Sequence, residues 1–554
     1  MSASRRIVRL AAAGLLAAAP AGASAAAPPA IRVGGPSAPA DAKVALVGSS
    51  ADLRGRPFRV LDGRGAVVLR GRLTAAPGSP APWRRLAQAD LSRLRRPGAY
   101  RVRAGGLASR PWVVRADAQR APIAAILRYF AANADGGEPS PAHGPAHLND
   151  AAVASGPHAG ERFDLTGGWM DAGDMLKFTH TTAYAAAALQ AAARLDAADA
   201  PALRATADVG VRWLLKAHPA PGLFVAQVGD ERDHERGFRD PAADDGSGED
   251  GIAIRLAYPN IGGDLGGAAA LALALAAERA PADVAPALLG AARDWYAAGA
   301  AAGGVAPKLP APAGDFYSGD TAEDALAAGA AALYRVTGER ACLDDALRDL
   351  AAFTPDGRLS WNALAGFAAA DLCGALGAPA VADAAAREAA CAALARQGGA
   401  AVARARANGP FRTPGAFGWG QTGENGGAGA LAALAGRATG AAGGLAVAAA
   451  ARDWLLGRNP WGASFVVGHG PKAPRHPHHW ASERGAGQPR GAVVGGPAPL
   501  ADIVEQSSVG RPRGGPFSTA RATYEDRLED YVTSEPAIDY AASSILLLAA
   551  LAAR

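Results

Sequence analysis

Cysteine is scarce. Cys342, Cys373 and Cys391 are the only three in 554 residues, which excludes a disulfide-built scaffold and leaves no ligand spacing for zinc. All three lie in Ala-rich stretches of helical composition, where small thiols pack well inside. The alternative is one bridge, closest in sequence between Cys373 and Cys391, and spacing does not choose between the two readings. Charge is also sparse. Asp, Glu, Lys and Arg make up 19% of the chain without an acidic or basic tail, so a disordered polyelectrolyte is excluded. The apolar C-terminal run, Tyr540 to Ala553, is 14 residues, short of the roughly 20 that span a bilayer, and is expected to be a buried core helix, not a membrane anchor.

What is present is a large apolar fraction, 50%, enough for an extensive core in more than one domain. Residues 1–27 read as a secretory signal. Arg5, Arg6 and Arg9 precede an apolar run from Leu10 to Ala19 and small residues at Ala23-Ser24-Ala25, so the mature chain is expected to be secreted or periplasmic. Without those three arginines the formal charge falls from +5 to +2, and the basic balance gives no reason to expect a nucleic-acid partner. Arg outnumbers Lys without a dense cluster, which reads as composition bias.

Residues 28–116 alternate with period two, as in Phe58-Arg-Val-Leu61 and Tyr100-Arg-Val-Arg103. Turns such as Asp62-Gly63 and Pro97-Gly98 separate the runs, which predicts a small immunoglobulin-like β-sandwich. Residues 117–554 change to helical periodicity. Twelve segments of helical length occur, near 122–135, 174–196, 201–217, 264–279, 284–300, 322–337, 341–353, 362–375, 381–405, 426–438, 445–456 and 536–553. Twelve helices pair as six hairpins, and several are apolar all round, so an (α/α)6 barrel, an inner ring inside an outer one, is the economical arrangement. The long loops 136–173, 218–262, 406–425 and 457–535 hold most of the chemically capable residues.

The first of these is Asp171-Ala-Gly-Asp174, two carboxylates three residues apart, placed by the pattern at the mouth of a helix starting near Met175. An isolated pair of this kind is more often a helix cap plus an ion pair with Lys177. Read as chemistry, it could hold a water for attack on a sugar, which then requires a second, protonated carboxyl to release the glycosidic oxygen. Glu535 answers that need. It precedes Pro536 and a very apolar helix, where burial would raise its pKa.

With these residues in view the chain resembles glycoside hydrolase family 9, the cellulase family with an (α/α)6 barrel, in its subgroup with an N-terminal immunoglobulin-like domain. The resemblance runs in order through Gly168-Trp-Met-Asp-Ala-Gly-Asp174, Gln227-Val-Gly-Asp230, Gly263-Asp-Leu-Gly266, Phe417-Gly-Trp-Gly420, Leu455-Leu-Gly-Arg-Asn-Pro460, Pro477-His-His479 and the Asp526 to Glu535 segment. It implies inversion by single displacement on β-1,4-glucans, with Asp174 as general base, Asp171 holding the same water and Glu535 as general acid. Asp526 and His478 match its supporting carboxylate and histidine. Trp169, His234, Trp361, Trp419, His479 and Tyr531 are the expected sugar contacts.

No cofactor is required by this chemistry. A structural calcium is expected at Asp320, Glu323 and Asp324, where relatives bind it, although the family's following Glu is Ala325 here. His476, His478 and His479 are the weaker alternative, a zinc site. Four further departures surround the motifs: Ser534, Ala541 and Ala498 replace asparagines, and Trp480 replaces an arginine. They make the sugar less certain than the mechanism. The expected activity is hydrolysis of cellulose-like glucans or their oligosaccharides. The alternatives are an exo-glucosidase or exo-glucosaminidase on chitosan oligomers, and a catalytically weak carbohydrate-binding protein. The protein is expected to act as a monomer, and without a separate carbohydrate-binding module it should prefer soluble or amorphous chains.

Overall fold

The computed structural model describes residues 27–553 apart from 80, 247–251, 486, 507–511 and 513; apart from Ala27, the expected export signal lies outside the described residues. Nine strands come first: β1 Ala30–Arg32, β2 Val44–Ser49, β3 Pro57–Asp62, β4 Val67–Arg72, β5 Thr74–Ala75, β6 Arg85–Asp90, β7 Gly98–Ala104, β8 Leu107–Ala108 and β9 Trp112–Val114. They form two antiparallel sheets, β1-β2-β6-β5 and β4-β3-β7-β8, with β9 added alongside β7. Alternation in β3 and β7 turns Phe58, Val60, Tyr100 and Val102 inward, where they meet Val47, Ala89 and Trp112 in a core separate from that of the helices. This is the expected immunoglobulin-like sandwich.

A third, small sheet, β10 Ala152–Val153, β11 Lys177–Phe178, β12 Val225–Val228 and β13 Leu256–Pro259, knits together the loops of the helical part. The helices are α1 Arg120–Ala132, α2 Thr179–Leu195, α3 Ala200–Lys216, α4 Glu231–Glu235, α5 Gly263–Ala277, α6 Ala285–Ala302, α7 Glu323–Thr337 and α8 Arg340–Ala352. They continue with α9 Ala365–Leu372, α10 Ala384–Ala407, α11 Gln421–Ala438, α12 Gly444–Leu455, α13 Trp480–Glu483, α14 Leu500–Gln506, α15 Tyr531–Ser534 and α16 Ile538–Ala552. Contacts run α2 to α5, α7, α9, α11, α16 and back to α2, which closes an inner ring of six. Helices α1, α3, α6, α8, α10 and α12 surround it, giving the (α/α)6 barrel.

The sequence explains which helix goes where. All of α5 is buried, as a helix of Gly, Ala and Leu apart from Asp264 requires, and Asp264 is paired with His180. The outer α8 buries only Leu343, Ala346, Asp349 and Leu350, one stripe at helical spacing. Small residues let the inner helices approach: a Cβ on Gly267 would lie 2.3 Å from the Ala325 backbone of α7. The C-terminal run becomes α16 of the inner ring, and among the described residues no helix is long and apolar enough to cross a membrane.

Three local expectations are corrected. Helix α2 begins at Thr179, after β11, and α16 at Ile538; neither the Asp171/Asp174 pair nor Pro536 stands in a first helical turn. Lys177 pairs with Asp135 at 2.8 Å and Asp150 at 2.7 Å in the interior, not with the Asp171/Asp174 pair. Cys373 and Cys391 are bonded, S–S 1.99 Å, tying the end of α9 to α10, and Cys342 is free.

Candidate active site

The loops that enter five of the inner helices converge on one cleft of about 690 Å³. Asp171 and Asp174 precede α2, Tyr317 precedes α7, Trp361 precedes α9, Trp419 precedes α11 and Glu535 precedes α16. A larger cavity of about 1250 Å³ lies where the two domains meet. Its lining is mostly Ala and Gly, and of its charged residues Arg120 pairs with Asp199 and Asp41 with Arg452.

Asp171 is buried, and its Oδ2 accepts a 2.5 Å hydrogen bond from Tyr317. Its main chain is fixed at both ends: the N–H donates to Leu176 and the carbonyl accepts from Ile538, each at 2.9 Å. Burial pushes its pKa up to about 7; the Tyr317 hydroxyl opposes that rise and the Asp174 charge adds to it. Asp174 is more open. Its Oδ1 accepts from the Leu176 N–H at 3.3 Å, and its Oδ2 lies 3.0 Å from His234 Nδ1. That hydrogen bond lifts His234 to about 9, so an imidazolium faces the Asp174 carboxylate at neutral pH.

Glu535 Oε1 accepts from the Gly173 N–H at 3.3 Å. Burial raises the Glu535 pKa to about 8, with the Asp174 charge contributing, so this carboxyl holds its proton at neutral pH. The turn between the aspartates has to be glycine: a Cβ on Gly173 would sit 2.2 Å from the His478 carbonyl oxygen. His478 Nδ1 donates to the Leu528 carbonyl at 2.6 Å, and burial lowers its pKa, so the ring is neutral and Nε2 is its acceptor. Trp361 stands edge-on to Tyr317 at 4.9 Å, and half-exposed Trp419 packs on Tyr531 at 5.4 Å; these rings and His234 line the cleft.

Three expected site residues lie outside it. Asp526 accepts from the N–H groups of Arg475 and His476, each as close as 2.8 Å, and thereby pins the loop that carries His478. His479 is buried; its Nδ1 caps α13 by accepting from Ala481, its Nε2 lies 3.0 Å from Asn133 Oδ1, and burial lowers its pKa to about 3. Trp169 is 1% exposed, packed 5.1 Å from Phe130, and cannot reach a sugar.

The metal expectations fare similarly. Asp320 accepts from Arg358 at 3.1 Å and Asn362 at 2.9 Å; Asp324 is committed to Thr321 and the Leu364 N–H, each at 2.6 Å; Glu323 bonds the Ala322 N–H. With a guanidinium already on Asp320, the donor set does not fit calcium. His478 and His479 point to different partners, and among the described residues no three His, Cys, Asp or Glu converge as metal ligands.

The four departures also lie off the cleft wall. Ser534 Oγ is turned to the Arg527 and Asp530 carbonyls, Ala498 and Ala541 are buried, and Trp480 is 1% exposed against His143 and His479. Sequence reasoning missed Tyr317, Phe316, Phe238, Glu424, Asp539 and Tyr540, all of which line the cleft. Two signals were available: an aromatic pair, Phe316-Tyr317, in a loop otherwise built largely of Gly, Ala and Pro, and a lone Asp539 near the start of an apolar helix.

Fold and cleft together define a glycoside hydrolase of the paired-carboxylate kind. The chain belongs to glycosyl hydrolase family 9, whose model matches residues 121–548, and a cellulase N-terminal ig-like domain matches 38–109. Endoglucanase 14 of Arabidopsis thaliana is 29% identical over 77% of this chain and 92% of its own length. Endoglucanase 13 of the same plant is 33% identical over 39% of this chain and 45% of its own. A solved structure, AaCel9A in complex with cellobiose-like isofagomine, superposes with TM-score 0.78 at 25% identity, covering 94% of this chain and 99% of that one.

Proposed function

We propose that the chain is an exported, inverting hydrolase of β-1,4-glucosidic bonds in cellulose-like glucans or their oligosaccharides. The observation that carries this reading is the placement of two unlike carboxyls in one cleft: Glu535 is buried and accepts from the Gly173 N–H, whereas the more open Asp174 lies 3.0 Å from His234 Nδ1; burial raises the Glu535 pKa to about 8, as a general acid requires. Glu535 protonates the leaving oxygen as the bond to the anomeric carbon breaks. Asp174, with Asp171 beside it, takes a proton from the water that attacks the opposite face, and the products leave with inverted configuration. Trp361, Trp419 and Tyr531 offer flat apolar faces to the sugar rings. The relatives' names as endoglucanases and the cellobiose-like ligand of AaCel9A support a β-glucan substrate.

A second substrate class, amino-sugar oligomers, keeps the same mechanism. It is favoured by a wall with no unpaired arginine to repel an ammonium group: Arg239, the one arginine among the described lining residues, is already paired with Asp233 and Asp244. Sugar release from β-glucans, cello-oligosaccharides and chitosan oligomers, with Glu535→Ala and Asp174→Ala as controls, tests both. The glucan reading predicts faster cleavage of cello-oligosaccharides, abolished by either substitution. Activity that survives both substitutions contradicts the mechanism.

A further inference from the structure

The charge of this chain is divided between its domains. Residues 28–116 carry 17 cations, 16 Arg and Lys43, against four aspartates, a surplus of 13; residues 117–554 carry 36 cations against 47 carboxylates, a deficit of 11. Composition bias alone would not separate the signs in this way. Five of these arginines share one surface. In the β4-β3-β7-β8 sheet, Arg59 sits opposite Arg70 on one side and Arg103 on the other, and Arg72 and Arg101 extend the same exposed face.

Like charges directly across a sheet destabilise it, so this row does nothing for folding. No ion pair joins any of the five to a carboxylate among the described residues, whereas arginines of the barrel, such as Arg255 and Arg335, are paired. The face is also free of the barrel: the sandwich docks through Arg32, Asp41, Val44 and Arg110, which reach Pro460, Arg452, Arg458 and Leu456.

We propose that this arginine face binds an acidic polysaccharide bearing one carboxylate per sugar. Adjacent strands lie about 4.8 Å apart, a pitch close to the length of one sugar unit in an extended chain, so Arg70, Arg59 and Arg103 can each take a successive carboxylate. A guanidinium fork matches a carboxylate in two hydrogen bonds. The flat surface presents no helix or ribbon to enter a nucleic-acid groove. It also lacks the Trp and Tyr side chains that seat proteins at a lipid interface.

The test is titration of the full mature chain with polygalacturonate and with a neutral galactan at low salt. Binding to the acidic polymer alone is expected, weakening steeply with salt. The triple variant Arg59→Ser, Arg70→Ser, Arg103→Ser should bind at least about tenfold more weakly, with thermal stability equal to or above the parent's and glucan hydrolysis unchanged. Removing the same charge from the loop before β7, with Arg93→Ser, Arg95→Ser and Arg96→Ser, should change the affinity by no more than about twofold. The proposal is overturned by absence of polygalacturonate binding, by equal losses in the two triple variants, or by tighter binding to duplex DNA or anionic vesicles than to polygalacturonate.

Discussion

Tyr317 Oη donates a 2.5 Å hydrogen bond to Asp171 Oδ2 and so joins the loop before α7 to the loop before α2 at the floor of the cleft. Asp171 is thereby held beside Asp174 without a helix dipole, a role the sequence pattern had assigned to α2. Tyr317→Phe keeps the ring and removes the hydroxyl. A hydrogen bond to a charged group contributes about 1.5–3 kcal/mol, so kcat should fall by about ten- to a hundredfold while KM changes little. Steady-state kinetics on a soluble glucan measures this; an effect confined to KM contradicts the positioning role.

Three groups of the cleft make stability fall with rising pH. Glu535, raised from 4.5 to about 8, and Asp171, raised from 3.8 to about 7, bind protons more strongly folded than unfolded, so stability declines from the lower value to the higher in each case. His234, raised from 6.5 to about 9, contributes stability that is complete below 6.5 and lost as pH rises through 9. Thermal unfolding should therefore move to lower temperature between about pH 5 and 9. His234→Gln should flatten the part above 6.5, and an unchanged slope there would count against the His234–Asp174 pair.

Gly173→Ala places a Cβ within 2.2 Å of the His478 carbonyl and 3.1 Å of Glu535 Oε1. The backbone oxygen cannot move without shifting the His478 loop, so a cost of about 1–3 kcal/mol and a large loss of kcat are expected. Calorimetry and kinetics on the same preparation check both. Wild-type activity would mean that the loop yields freely.

The Cys373–Cys391 bridge closes a loop with a sequence separation of 18, worth about 3 kcal/mol in chain entropy. Cys373→Ser with Cys391→Ser should lower the unfolding temperature by several degrees without changing KM, since the bridge is remote from the cleft lining. Under native conditions one thiol, Cys342, should react with a thiol reagent. Three reactive thiols would show that the bridge is not formed.

Trp480→Arg restores the residue usual in the family but places a guanidinium where the indole is 1% exposed. Loss of about 3 kcal/mol or more is expected from an unpaired buried charge, with no gain in activity. A gain in activity would show that position 480 reaches the substrate.

The barrel was legible because all-round apolar helices such as α5 and α16 have only one home, inside a ring, and because β3 and β7 alternate so regularly. Asp171, Asp174 and Glu535 were legible as a set, since glycoside chemistry requires both kinds of carboxyl. Burial was not legible. Trp169 and Trp361 are the same residue type near recognisable motifs, yet Phe130 covers one while the other faces the cleft, and only three-dimensional packing separates them. Tyr317 escaped because its partner lies 146 residues away, a distance no local pattern spans. The arginine row escaped because Arg59, Arg70 and Arg103 gather only when the strands pair.

The account rests on Asp174 delivering water to the face opposite Glu535, and the stereochemistry of the product tests that most directly. Proton NMR of the anomeric region during hydrolysis of a β-1,4-linked oligosaccharide should show the α-anomer formed first, followed by slow mutarotation. Initial formation of the β-anomer would contradict it.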